Sequence, residues 1–242
     1  MPCFSLRGCY NMARRKYWAI IDTETTIEST IADVAIVICD RHGKIYKSMA
    51  VLIKGEFDAK ELFYDPKDNG FWGKEAAKKR KANYVKMLNE GTRMLASVSA
   101  VNRWIDAAIA QYQPELTAFN LPFDRDKCIR TNIDLSGFPS SFDLWGAACG
   151  NICVTKGYKQ FCLENHQFTN RTEYGNMTMR TNAETVFGYL HGQLIDEPHT
   201  ALEDLAFEVP ILTKVLSSKN WRDKAQAFNW REFQVKNHFV AK

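Results

Sequence analysis

Residues 17–26 read Tyr17-Trp-Ala-Ile-Ile-Asp22-Thr-Glu24-Thr-Thr26, and this stretch decides the fold. Its first six residues are a short apolar run rich in β-branched and aromatic side chains, which predicts a buried strand. Two carboxylates, Asp22 and Glu24, close it. Side chains two apart in a strand share a face, so both project together from the end of an apolar element. Carboxylates so placed repel each other, and a hard divalent cation with oxygen ligands would relieve that repulsion. Taken alone, Asp-x-Glu is equally the reading of an acidic loop after a strand.

Outward from that strand, residues 31–39 and 44–53 are two more β-rich runs, joined by Asp40-Arg-His-Gly43 as a hairpin signal. Residues 56–72 are irregular, with Asp65-Pro-Lys-Asp-Asn-Gly70 marking turns and Gly70-Phe-Trp-Gly-Lys74 read as a turn before a basic helix. That last run lacks the spacing of a phosphate loop. Apolar residues at helical spacing predict helices over 74–89 and 97–112, the second ending before Pro114. Residues 116–120 and 141–144 predict two further strands. Helices are expected over 122–131, 145–153, 158–166, 182–191 and 200–216, the last kinked at Pro210. This order predicts an α/β fold, a mixed five-stranded sheet flanked by helices on both faces.

Two later segments bear on Asp22 and Glu24. Asn120-Leu-Pro-Phe123-Asp124 sets an acid in the first turn of a helix just beyond a strand, next to an amide and an aromatic ring. Proline suits that first helical position. His199-Thr-Ala-Leu-Glu-Asp204 sets a histidine on the loop entering a helix and an acid one turn inside it. With these three motifs in this order, spread over residues 17–212, the chain resembles the DEDDh 3′→5′ exonucleases of the ribonuclease H-like fold. The resemblance implies that Asp22, Glu24, Asp124 and Asp204 bind two Mg²⁺ or Mn²⁺ ions and that His199 is the general base. It further implies that Asp22 bridges the ions, that Glu24 and Asp204 hold the one on the nucleophile side, and that Asp124 anchors the leaving-group side. The expected activity is hydrolysis of phosphodiester bonds at 3′ ends of single-stranded DNA or RNA, releasing 5′-mononucleotides. Phosphodiester hydrolysis needs an activated water and neutralised phosphate charge, which two metal ions supply, and histidine accepts a proton near neutral pH. Asn120 and Phe123 are expected at the terminal nucleotides, with Phe123 as plain core an open alternative. Sugar discrimination is expected near Thr25 and Asn120.

Composition agrees with a soluble catalyst of this kind without specifying it. The 242 residues suit one large domain, and 45% hydrophobic with 25% charged residues excludes collagen-like and wholly disordered chains. No apolar run approaches the roughly 18 residues of a membrane span. Seven cysteines make no even framework, and residues 1–18 lack a secretory core, so a reducing, cytoplasmic setting is expected. The net charge of +4 is uneven: residues 74–86 carry six cations against Glu75, and residues 213–242 carry seven against Asp223 and Glu232. Both segments are +5, leaving the remainder acidic, which fits a protein that holds metal ions beside a polyanion as well as it fits two solvated helix faces. Lys78, Lys79, Arg80 and Lys81 are accordingly expected to track a nucleic-acid backbone.

The expected organisation is an N-terminal extension over 1–16, with Met12 as an alternative start, then an exonuclease domain over 17–216 with a basic insertion around 56–90. A basic, aromatic extension follows over 217–242 and would dock on the domain or on a partner. Cys149, Cys153, Cys162 and His166 are zinc-capable by type, but their spacing is not that of a standard finger, and Cys149 and Cys153 equally suit an apolar helix face. The remaining readings are a proofreading subunit of a polymerase, a homodimer, or a non-catalytic nucleic-acid-binding module on the same fold. Five converging ionisable groups count against the last.

Overall fold

The structure is a computed structural model describing residues 15–64, 70–169 and 177–235. The stretch up to residue 14 with Met12, the turn over 65–69, part of the 169–181 loop and the tail beyond 235 lie outside the described residues. Strands β1 (Tyr17–Thr25), β2 (Ile31–Asp40) and β3 (Ile45–Ile53) form an antiparallel meander in which Ile20 faces Val37 and Ile36 faces Met49. Asp40 makes the β2–β3 turn by accepting from the backbone N–H of His42 and Lys44, while Gly43 takes φ +78. That positive φ is the reason for glycine there.

On the far edge lies β4 (Leu95–Ala96), parallel to β3. On the other side β5 (Glu115–Ala118) runs parallel to β1, and β6 (Ser141–Asp143) parallel to β5, giving the order β4-β3-β2-β1-β5-β6. The five expected strands are present. The sixth, β4, corrects the count: two residues are too few to leave a periodic signal.

Every residue of β2 is buried, because helices cover both faces. Ala35, Val37 and Cys39, the smaller set in total, face one core, and Val34, Ile36 and Ile38, the larger set, face the other. The large-residue face packs on α2 (Val98–Tyr112) and α3 (Leu121–Thr131). Against the small-residue face lie α4 (Leu144–Ala148), α5 (Lys156–Glu164), α6 (Ala183–His191) and α7 (Ala201–Ser217). Pro210 falls inside α7, and the helix continues past it to Ser217. The basic helix α1 (Gly70–Asn89, numbered first in chain order) packs Ala77 and Tyr84 on Phe57 and Leu62 as a third, smaller cluster. It begins at Gly70, so the turn expected there is its first helical turn.

The helix expected over 145–153 changes register at Cys149 into a π-turn, Cys149–Cys153, closed by Val154 N–H to Cys149 O at 3.1 Å. This widened turn receives the C-terminal extension. Helix α8 (Trp221–Ala227) lies so close that a Cβ on Gly150 would stand 2.1 Å from Lys224 O, and Asn151 Nδ2 donates to Trp221 O at 2.9 Å. Arg222 adds two 2.6 Å bonds to the buried carboxylate of Glu115, and the Trp221 ring packs at a tilt of 56° on Phe142, centroids 4.6 Å apart. A 3₁₀ turn, Trp230–Phe233, follows and buries Phe233. Residues 217–235 thus dock on the domain itself, and Arg222 is committed to Glu115.

Because backbone, not a flexible side chain, opposes residue 150, Gly150→Ala forces the π-turn and α8 apart. We expect a loss of about 1–3 kcal/mol, read as a lowered urea midpoint; an unchanged midpoint would contradict the close packing.

Candidate active site

Strand β1 delivers the first two acids. Asp22 and Glu24 lie on the α7 side of the sheet with Trp18 and Ile20, paired across β2 with Ala35 and Asp33. The register slips between Glu24 and Thr25. Such a bulge twists the strand end and re-aims the side chains next to it.

The third acid comes from β5 and α3. Chain reversal at Asn120 uses φ +80, and Asp143, at the end of β6, accepts from the N–H groups of Asn120 and Leu121 at 3.1 and 2.9 Å. The same carboxylate caps α4 through Gly146 N–H at 2.8 Å. This clamp fixes the start of α3, where Asp124 is 3% exposed. Thr23, alternating to the opposite face from Asp22 and Glu24, donates its hydroxyl to Asp124 Oδ1 at 2.8 Å.

The fourth acid and the histidine belong to α7 and its entry loop. The first turn of α7 is anchored by Asp33, fully buried on β2, whose Oδ2 accepts from Ala201 N–H and from Tyr84 OH, each at 3.0 Å. Arg93, also buried, stands 3.7 Å from Asp33 and pairs with Glu203, which in turn accepts from Thr200 Oγ1 at 2.7 Å. Burial raises the Asp33 carboxyl and Arg93, Ala201 N–H and Tyr84 pull against it, leaving it at about 6. Just before this anchor, His199 is exposed with φ +56, a left-handed conformation uncommon outside glycine. Polar ligand atoms of His199, Glu24 and Asp204 all lie within 4.8 Å of one another. The loop position expected for His199 is the observed one.

Two acids absent from the three motifs join this group. Glu208, one turn after Asp204, is 4% exposed, and its strongest charged neighbour is Asp124. Glu197, half-buried on the entry loop, faces Glu184 and Glu24. The sequence carries a signal for Glu208. The buried stripe of α7 runs through Ala201, Asp204, Leu205, Glu208, Ile211, Leu212 and Val215, so two acids interrupt an apolar helical face.

Burial and mutual repulsion raise these carboxyls together. Asp22 is pushed well up by burial, then by Glu208 and Asp124. Glu24 rises to about 7 through burial, despite the opposing charge of Arg80. Burial likewise lifts Asp124 to about 7, against the Thr23 hydrogen bond, and Asp204 to about 8, with Glu24 and Glu197 adding to it. Asp22 Oδ2, Asp204 Oδ1 and Glu208 Oε2 are buried with no hydrogen-bond partner. Unpartnered anionic oxygens from separate elements, gathered at one strand end, suit a hard divalent cation.

The other expected contacts separate. Phe123 is 44% exposed with Lys127 Nζ 4.8 Å from its ring, so it is not core. Asn120 is exposed and lines a cavity of about 500 Å³ with Phe119, Trp145, Thr169, Arg180, Thr181 and Asn182. Thr25 is buried, its carbonyl taken by Phe63 N–H at 2.8 Å; Phe63 itself is exposed beside the strand end. In the basic run, Arg80 reaches Phe63 O and its charge acts on Glu24. Lys78 pairs with Glu75, Lys79 is exposed, and Lys81 turns onto the carbonyls of Phe57 and Lys60. Cys149, Cys153 and Cys162 are fully buried in the α7-side core, whereas His166 is exposed. Burial keeps the Cys162 thiol protonated up to about 11. Among the described residues the only group of three or more metal-ligating side chains within such reach is Glu24, His199 and Asp204.

No protein-family model and no curated protein matches the chain. Among solved structures, the zinc-bound form of an E. coli exonuclease I–single-stranded DNA complex superposes with a TM-score of 0.52 at 14% identity, over 86% of this chain and 42% of that one. E. coli exonuclease I with an oligonucleotide and exonuclease I with the inhibitor BCBP both give 0.48, at 15% and 13% identity, over 88% of this chain. The chain thus spans less than half the length of these structures. At such identity the likeness shows the fold alone: a mixed α/β architecture, a six-stranded sheet between helices.

Raised carboxyls have a consequence for stability. An unfolded chain releases these protons near pH 4, whereas the folded one keeps them up to about 7 or 8. The native state therefore binds more protons across that window, and its stability falls as pH rises through it. With chelator present we expect Tm to be lower at pH 8 than at pH 5.5, and Mn²⁺ to restore it at pH 8. A chelated protein as stable at pH 8 as at 5.5 would refute the shared burial of these acids.

Proposed function

We propose that this protein is a metal-dependent 3′→5′ exonuclease that hydrolyses phosphodiester bonds at the 3′ ends of single-stranded DNA or RNA and releases 5′-mononucleotides. One observation carries the reading. Glu24, His199 and Asp204, from two distant motifs, bring ligand atoms within 4.8 Å of one another, Asp22 lies in the field of Asp124, Glu24 and Asp204, and Asp22 and Asp204 each keep a buried oxygen with no protein partner. The single-stranded DNA held by the structurally similar exonuclease I supports the choice of substrate class.

Divalent ions, Mg²⁺ or Mn²⁺, held by the four acids would supply Lewis-acid activation of water and offset the charge that builds on the phosphate. The chain's own groups do the remaining work. His199, exposed at the rim and within reach of Glu24 and Asp204, accepts a proton from the attacking water and passes it to solvent. Thr23 holds Asp124 in one rotamer, and Asp33 holds the α7 turn that aims Asp204. Preorganisation of this kind avoids reordering the site during reaction.

The terminal nucleotide is placed between exposed groups around this centre. Phe123 offers a ring face for stacking, and Asn120 an amide. Arg80, already near Glu24, offers the nearest guanidinium of α1 for a phosphate, with Lys79 beside it in sequence. Lys78 and Lys81 are engaged within the chain and contribute to the general field.

Incubation of 3′- and 5′-labelled single-stranded DNA and RNA with Mg²⁺ or Mn²⁺ should show shortening from the 3′ end that EDTA stops. Asp22→Ala and Asp124→Ala should abolish it, and His199→Ala should slow it by about 10²–10⁴-fold, all three remaining folded by circular dichroism. Absent or chelator-insensitive activity, or wild-type rates in all three variants, would overturn the proposal.

A further inference from the structure

The acids occupy the carboxyl end of β1, and two neighbouring strands end at the same edge of the sheet. Because β5 runs parallel to β1 and β6 to β5, Phe119 and Asn120 after β5 and Trp145 just beyond β6 share that edge with Asp22 and Glu24. Ligands of open α/β sheets collect at such carboxyl ends. At a strand spacing of about 4.8 Å, β6 stands about 10 Å from β1. Here lies the cavity of about 500 Å³, within the size range of ligand pockets.

Its walls are held in place. Trp145 is half-buried; its indole Nε1 donates to Thr181 Oγ1 at 2.9 Å, and its ring rests on Trp230 of the C-terminal extension, centroids 5.2 Å apart. Arg180 is fixed through its backbone, the N–H donating to Gln167 O at 3.0 Å and the carbonyl accepting from the buried Tyr158 hydroxyl at 2.7 Å. Its exposed side chain meets a carbonyl, not a carboxylate: Nε donates to Phe168 O at 3.1 Å. None of the described residues lining the cavity is acidic. A fixed aromatic face beside an arginine suits single-stranded nucleic acid, since any base stacks on the ring and a guanidinium pairs a phosphate. The scissile phosphate belongs at the acids, and the 3′-terminal nucleotide has only its own sugar and base beyond it. A site about 10 Å away, across Asn120, is reached by chain on the 5′ side. We propose that this cavity is a subsite for an internal nucleotide of the bound strand, its base lying against Trp145 and its phosphate paired with Arg180.

This rests on the proposed exonuclease reading, and the test separates the two. Full-length protein in EDTA, so that binding is read without hydrolysis, is titrated by fluorescence anisotropy with a 5′-labelled single-stranded decanucleotide, as DNA and as RNA. The titration is repeated with oligonucleotides abasic at one position near the 3′ end. Trp145→Leu should weaken binding by about 5–150-fold, the worth of one base–aromatic stack, and Trp145→Phe should restore most of it. One internal abasic position should remove the difference between Trp145→Leu and wild type, whereas an abasic 3′ terminus leaves it intact. Arg180→Ala should lower the slope of log affinity against log salt by about 0.7, one single-strand phosphate; Trp145→Leu should not change it. Wild-type affinity in both variants, or a Trp145 effect that no internal abasic position removes, would overturn the subsite. These couplings without shortening of the strand on adding Mg²⁺ or Mn²⁺ would overturn the exonuclease reading and leave the subsite standing. Should Trp145→Leu fail to fold, the exposed Arg180 decides: an unchanged salt slope in Arg180→Ala refutes the proposal.

Discussion

Repulsion among carboxylates is the constraint around which this protein is arranged. Asp22, Glu24, Asp124, Asp204 and Glu208 act on one another around the end of a strand whose preceding residues, Ala19 to Ile21, are apolar and fully buried, where the field of each is poorly screened. Such a cluster tends to push its supporting elements apart. Each of those elements is accordingly tied by a polar contact next to the acid it carries: Thr23 to Asp124, Asp143 to the start of α3, Phe119 N–H to Glu208, and Asp33 to the first turn of α7. The Thr23 and Asp33 bonds are buried and the Asp143 bond to Leu121 is part-buried, and all but the Thr23 bond use a backbone N–H group. The sheet supplies the reference frame, because β1 is hydrogen-bonded on both sides, to β2 and β5.

The Asp33 network deserves comparison with the acids it serves. Asp33 lies directly across from Glu24, so one more negative charge stands beside the cluster, yet it is balanced by Arg93 and by two hydrogen-bond donors. A carboxylate with partners holds structure in place. Asp33 Oδ1 lacks a hydrogen-bond partner, as do Asp22 Oδ2, Asp204 Oδ1 and Glu208 Oε2, but a guanidinium stands 3.7 Å from the Asp33 oxygen, whereas the charged groups acting on Asp22 and Glu208 are all acidic. Tyr84 further joins the basic helix α1 to this bracing, so the segment read as an insertion is mechanically continuous with the turn that bears Asp204.

Most of the fold was legible in residue order. The β-rich runs, the glycine of the β2–β3 hairpin and the helical stripes of α2 and α7 are local signals, and local geometry followed them. What escaped was set by distant contacts. Strand β4 exists because β3 offers an open edge to two residues, and the π-turn at Cys149 accompanies α8 lying on Gly150. Of the site, the motif acids and the loop position of His199 were readable, whereas Glu208 was passed over as one acid in an apolar helix. Basic clusters proved the least legible: charge alone did not distinguish Arg80, whose field reaches Glu24, from Lys81, which fastens the 57–60 segment, or from Arg222, which grips Glu115. Whether a cation faces solvent or its own chain depends on which carbonyls and carboxylates the fold brings near it.

The acid cluster draws on residues 22 to 208, and two of its five carboxylates arrive with α7. During synthesis β1, β2 and α3 can assemble while α7 is still unmade, leaving three acids and no histidine at the strand end. A nascent chain of that length holds the meander and its carboxylates but neither His199 nor the helix whose first turn Asp33 anchors, so the cluster is completed only when the last large helix docks.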